Sequence, residues 1–416
     1  MQKMIQNLLL LTFFSILPVL IYANAQIEVC NSCAIKSIKA AINIADRHDV
    51  ILIKAGLYKE YEILIDKPLT IQGTPNAIVD GQNKGGIFLI EADSVNILGL
   101  TINNVGVSHT KDNAAIKTLR IKDFRFENNV FNNPFFAIHL QKSKRGIIKN
   151  NTINGSAVVE NNSGNGIHLW HCSNIEVLNN HVFQMRDGIY LEFVEHSKIE
   201  GNTSERNVRY GLHFMFSNND EYIDNVFENN GAGVAVMFSK FISMQGNLFR
   251  LNWGTASYGL LLKEIYDAEI KHNTFEQNTI GISADGSNRV NIEENNFINN
   301  GWAIKFLGAC YNNNLLRNNF ISNSFGIAYK GDLNANLFDE NYWSEYAGYD
   351  LDKDGIGDVP FRPVKLFSYV VNKTPETIIL LRSLFVDIIN FSEKVSPVFT
   401  PDELKDEHPN MKQIQW

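Results

Sequence analysis

Beyond about residue 25 the chain alternates apolar and polar positions in short runs, as in Ile167-His168-Leu169-Trp170 and Leu212-His213-Phe214-Met215-Phe216. A period of two marks strands with one buried face. A small residue followed by an aliphatic one recurs from Gly86-Ile87 to Gly326-Ile327, passing through Gly166-Ile167, Gly188-Ile189, Gly211-Leu212, Gly233-Val234 and Gly281-Ile282. Successive markers lie 29, 22, 29, 22, 23, 22, 26, 22, 22 and 23 residues apart. A second marker, Asn-x-Phe or a near relative, keeps the same phase from Asn129-Phe131 to Asn336-Phe338.

A period near 22 is too short for paired-helix repeats, and the leucine-rich consensus is absent. Short strands separated by Asn/Gly turns instead predict an all-β fold, a parallel β-helix of about eleven or more coils. Right-handed winding is the default for strand-crossover-strand connections. At a strand spacing of about 4.8 Å, eleven coils make a rod on the order of 50 Å long. The Phe of Asn-x-Phe should stack inside it, and the Asn should form a ladder at the turns, where its amide bonds from coil to coil and tolerates left-handed backbone.

The boundaries follow from breaks in the pattern. Residues 34–46 have the apolar spacing of a short amphipathic helix that would cap the first coil. The β-helix with this cap spans 26–341. A C-terminal extension, 342–416, holds a Trp/Tyr-rich stretch, an acidic loop and a helix expected from Pro375 to about Lys394. Expansions at 105–113, 156–165 and 252–257 read as loops leaving the rod.

Composition adds to this picture. Asn occurs 52 times, 42 of them between Asn103 and Asn341, where Pro134 is the single proline. The formal charge of −8 gives no basic footprint for nucleic acid. Lys3, the apolar run Leu8–Tyr22 and Ala23-Asn24-Ala25 form an export signal over 1–25. The mature protein is expected to begin at Gln26, outside the inner membrane.

Candidate chemistry lies on the outer face. If the residue after each small one points inward, the next points outward. Aligning coils gives one outer column of Lys117, His139, His168, Tyr190, His213, Ala235 and Leu261. The neighbouring column holds Gln141, Trp170, Glu192, Met215, Met237 and Lys263. Thioether beside imidazole suits copper, especially Cu(I), which makes His168, His213, Met215 and Met237 candidate ligands; a covered packing surface is the alternative. Cys30 and Cys33 form a local disulfide or a metal site. Cys172 and Cys310, six coils apart, cannot bridge. Asp350, Asp352, Asp354 and Asp358 with Gly355 follow the start of an EF-hand-type loop, but Phe361 stands where its bidentate Glu belongs, so Ca2+ and a solvated acidic turn are both open.

Several strings resemble the NosD family: Gly164-Asn165-Gly166-Ile167-His168-Leu169-Trp170, Arg186-Asp187-Gly188-Ile189-Tyr190 and Gly211-Leu212-His213-Phe214-Met215-Phe216-Ser217. So do Ala256-Ser257-Tyr258-Gly259-Leu260-Leu261-Leu262-Lys263 and the segment from Asp354 to Val364. The resemblance covers nearly all of the mature chain, although the Cys30/Cys33 pair is not part of the family pattern. It implies a non-catalytic periplasmic protein of denitrification that binds copper. Such a protein associates with an ABC transporter permease and ATPase, is served by a copper chaperone lipoprotein, and is required to build the copper centres of nitrous oxide reductase. It also implies that some of the His/Met column meets copper or a copper-carrying partner, and the C-terminal helix is the candidate for docking to the permease.

Two other classes compete. Parallel β-helices host polysaccharide hydrolases and lyases, and others serve as carbohydrate-binding or structural rods. A hydrolase needs paired carboxylates on neighbouring coils, and the chain has neither an Asp-Asp pair nor Gly-His-Gly. Arg120-Ile121-Lys122 matches one fragment of the polygalacturonase pattern without the rest.

Overall fold

The computed structural model describes residues 25–416 apart from 109, 332–334, 382 and 396–403. The expected export signal falls outside them, save for Ala25. From Gln26 to Trp343 the chain winds through three sheets in turn, of 14, 13 and 12 strands, so that each circuit adds one strand to each sheet. One circuit runs Ser173–Leu178, His181–Phe183 and Asp187–Glu192. Every pairing between these strands is parallel, for example Ile189 opposite Leu212 and Leu212 opposite Val234. This is a parallel β-solenoid of about 14 turns. It begins well ahead of the Gly86 marker, in coils closed by Ile and Leu where the Asn and Phe signature is missing.

The repeated small residue has a steric cause. A Cβ placed on Gly281 would lie 2.5 Å from the carbonyl oxygen of Ala303 in the next coil, so the chain can turn into the third sheet here only with a small side chain. Inside, Phe227, Phe249, Phe275, Phe297, Phe320 and Trp343 form a buried stack with centroids 4.0–5.5 Å apart.

Asparagine forms two ladders. In the first, at the corner between the first and second sheets, the backbone N–H and Nδ2 of Asn202 both donate to Oδ1 of Asn225, at 2.9 and 3.0 Å, and Nδ2 also donates to the Val177 carbonyl at 2.8 Å. The same pattern continues through Asn247, Asn273, Asn295 and Asn318. Asn207, Asn230, Asn252, Asn278, Asn300 and Asn323 form a second ladder. The left-handed position is not the ladder residue but the one before it, such as Asn179 (φ +53°) ahead of Asn180 or Asp224 (φ +52°) ahead of Asn225. Asn is therefore retained for its amide, which satisfies buried backbone groups that would otherwise each cost about 1–3 kcal/mol.

Both ends are closed. Helix α1 (Ile38–Ile44) starts at Ser37, whose hydroxyl accepts from the Ala40 N–H, and it buries Ile38, Ala41 and Ile42. It is shorter than the apolar spacing suggested, because Ile35 still bridges to Val29 before the cap. At the other end, the single helix expected over 375–394 is divided. Pro375–Leu380 is a 3-10 turn, where Thr377 bonds back to the Thr374 carbonyl, and α3 follows at Leu384–Val395. Helix α2 (Leu366–Lys373), which the periodicity did not reveal, lays Phe367 and Val371 against Trp302, Phe325 and Ala328 on the third sheet.

Candidate functional site

The two outer columns expected from the alternation exist. Lys117, His139, His168, Tyr190, His213, Ala235 and Leu261 are successive register partners on the third sheet, and so are Gln141, Trp170, Glu192, Met215, Met237 and Lys263. The register is fixed from inside, by fully buried Ile138, Leu140, Ile167, Leu169, Ile189 and Leu191, since a one-residue slip would turn all of them to solvent.

The first column is a continuous ring stack. His139 and His168 lie 4.5 Å apart and nearly parallel, Tyr190 is 4.6 Å beyond, and His213 is 4.7 Å from Tyr190 and 4.8 Å from Tyr210. His139 is 2% exposed and His213 7%. Both ring nitrogens of His168 and of His213, and Nδ1 of His139, are buried without a hydrogen-bond partner. Burial pushes His139 down to about 4 and His168 well below the usual histidine range, so both rings are uncharged at neutral pH. Buried polar groups are normally satisfied. His139 Nε2 meets Gln141 Nε2 at 3.4 Å, and the remaining ring nitrogens of His139, His168 and His213 form a donor set without an internal partner.

The four predicted ligands divide into two groups. His213 and Met215 share a strand and a face, and Met237 is the register partner of Met215, one strand spacing of about 4.8 Å away. His168 lies two coils from His213 with the Tyr190 ring between them, and its neighbour is His139.

A buried carboxylate beside the column was not anticipated. Asp187 is 0% exposed and takes a two-pronged contact from Arg209, with Nε donating to Oδ1 at 2.8 Å and a terminal nitrogen donating to Oδ2. Burial raises its carboxyl, but the Arg209 guanidinium and the His213 ring together outweigh that and hold it below the usual carboxylate range. Asp187 Oδ2 is 3.9 Å from Nδ1 of His213, and Arg209 also reaches Glu160 Oε1, in the expanded 156–165 connection, at 3.2 Å. Asp187 precedes a corner glycine, outside the regular alternation. The one available signal was its place just ahead of the marker, opposite Tyr210.

Cys30 and Cys33 are joined as a disulfide, so neither offers a thiolate. Cys172 and Cys310 are free and buried, with burial pushing the Cys172 thiol up to about 12. Asp350, Asp352 and Asp354 bring carboxylate oxygens within 4.8 Å of one another, while Asp358 accepts from the Leu351 N–H. At the corner leaving the third sheet, His171, Phe193, Phe216 and Phe238 stack at 4.5–5.2 Å with φ near +53°. The three phenylalanines are 39–42% exposed beside the Met column.

Fold and column together define a class: a parallel β-solenoid with a row of largely buried imidazoles, beside a column holding two methionines, on the outer side of one sheet. The family described as "Periplasmic copper-binding protein (NosD)" matches residues 149–348, which hold all four predicted ligands and Asp187. The chain is 28% identical over 407 residues to the "Probable ABC transporter binding protein NosD" of Stutzerimonas stutzeri, covering 86% of each chain. It is 27% identical over 409 residues to the protein of the same name from Pseudomonas aeruginosa, covering 86% of this chain and 87% of that one. The chain is thus similar to NosD proteins over most of its length and to the family's model over its central coils. Among solved structures, DFA-IIIase from Arthrobacter chlorophenolicus A6 in complex with GF2 superposes with a TM-score of 0.53 at 13% identity, covering 70% of this chain and 94% of the other. That likeness concerns the fold alone.

Proposed function

We propose that this protein is a non-catalytic periplasmic accessory factor that handles copper as cargo for the copper centres of nitrous oxide reductase. In this reading it works with an ABC transporter permease and ATPase and receives copper from a chaperone lipoprotein. The observation that carries the reading is the set of buried, unpartnered imidazole nitrogens in the column beside that of Met215 and Met237. Soft thioether with neutral imidazole is a Cu(I) donor set, and leaving such nitrogens buried without a ligand has a free-energy cost. His213, Met215 and Met237 are the compact set; His139 and His168 form a second pair of donors two coils away. The copper-binding description of the family and the transporter-binding name of both relatives support the same role.

Docking falls to the C-terminal extension. Helix α3 exposes Leu384, Phe385, Ile388 and Phe391 (57–74% exposed) and anchors itself to the rod through Val386. No helix among the described residues is long and apolar enough to cross a membrane, so this apolar face fits a partner's surface. The decisive experiment is genetic. Deleting the gene should leave nitrous oxide reductase exported but copper-deficient, and the His213→Ala/Met215→Ala variant should fail to restore metallation where the wild-type gene succeeds. A fully metallated enzyme in the deletion strain would refute the role.

A further inference from the structure

We infer that Asp187 is a positioning residue for His213, holding the proton of that imidazole on Nδ1 so that Nε2 is left as the donor atom for cargo. The inference rests on the copper reading above, but it concerns the metal-free protein. The ring of His213 packs against those of Tyr190 and Tyr210, at 4.7 and 4.8 Å, and neither of its nitrogens is hydrogen-bonded. An unconstrained neutral histidine prefers the Nε2–H tautomer, which would place the proton where a metal must bind. Asp187 Oδ2 is 3.9 Å from Nδ1. That is beyond a hydrogen bond but close enough, in a buried setting, for a negative charge to favour N–H on the near nitrogen.

The carboxylate is itself held. Arg209 grips both of its oxygens, stacks over Tyr210 at 5.1 Å, and is tied through Glu160 to the 156–165 connection. The arrangement, a carboxylate behind an imidazole that faces away from it, is the usual outer support of a metal-binding histidine. It also explains why a charged residue stands with no exposure at this corner. The three groups Glu160, Arg209 and Asp187 carry a formal net charge of −1, which favours a cation at the ring.

The test reads the tautomer directly. Nitrogen and carbon NMR of the metal-free protein, labelled at histidine, should show His213 with its proton on Nδ1 in the wild type. It should shift to Nε2–H in Asp187→Asn, with the fold intact by circular dichroism. Arg209→Lys, which disturbs the same packing but keeps a cation beside the carboxylate, should retain Nδ1–H. Cu(I) affinity measured by competition with a chromophoric chelator should then fall about 10- to 100-fold in Asp187→Asn, the loss usual for such supports. If the tautomer is the same in wild type and Asp187→Asn, or flips equally in both variants, the inference is overturned. If the tautomer behaves as stated but wild type itself takes up no Cu(I), the copper reading fails while the positioning of His213 stands.

Discussion

Asp220 shows how strictly the interior assigns each rung. It is 1% exposed, accepts from the Ser197 N–H through Oδ1 at 2.8 Å, and leaves Oδ2 without a partner, next to the fully buried Tyr222. Burial pushes its carboxyl up to about 8. A folded-state value above the unfolded 3.8 means that stability is complete below about pH 4 and is lost as pH rises towards 8. Asp220→Asn keeps the acceptor and removes the titration. Its stability advantage over wild type should widen by roughly 1 kcal/mol per pH unit between pH 4 and 8 and stay level above. Parallel stability curves for the two proteins across that range would contradict the assignment. His213 and Met215 could be read in advance because both obey the period of two that the core imposes. Asp187 could not, since it sits at a corner where alternation breaks, and Arg209 reaches it from a full coil away.

At the scale of elements, the tail completes what the coils leave open. Asn341 is the last rung, and its N–H and Nδ2 would be orphaned; both donate to Asp406 Oδ2 at 3.1 and 3.0 Å, joined by Trp343 Nε1 at 2.9 Å. Asp406→Ala should therefore destabilise the protein by about 2–5 kcal/mol, with three buried donors left unpaired. Asp406→Asn, which extends the ladder with the residue used in every earlier rung, should cost less than 1 kcal/mol on the scale of a retained hydrogen bond. Chemical denaturation of the two variants checks this, and equal losses would show that the carboxylate charge matters more than the acceptor. The ladder and the Phe stack were legible because each repeats at the coil period. This cap was not, because it is a single contact across 65 residues. Helix α2 escaped for a related reason: its apolar face answers Trp302 and Phe325, two side chains that stand outside the repeat's marker positions.

For the whole molecule, the parallel stacking turns distant sequence positions into columns, and function can reside in which residues interrupt an otherwise repetitive outer face. The interruptions cluster: the imidazole stack, the two methionines, the exposed Phe ladder and the Asp187–Arg209 pair all lie between residues 139 and 238, and all but His139 fall within the span that matches the family. The extension that presents α3 packs on the last coils, at Trp302 and Phe325, so the proposed copper column and the proposed docking face occupy separate parts of the molecule. The most direct measurement is X-ray absorption at the copper edge on protein loaded with Cu(I) without oxygen, read beside the retained copper. The wild type should hold copper in a mixed nitrogen and sulfur shell, and His213→Ala/Met215→Ala/Met237→Ala should lose the sulfur component and retain at most a tenth of the affinity. Failure of the wild type to retain copper, or an unchanged spectrum in the triple variant, would contradict the account.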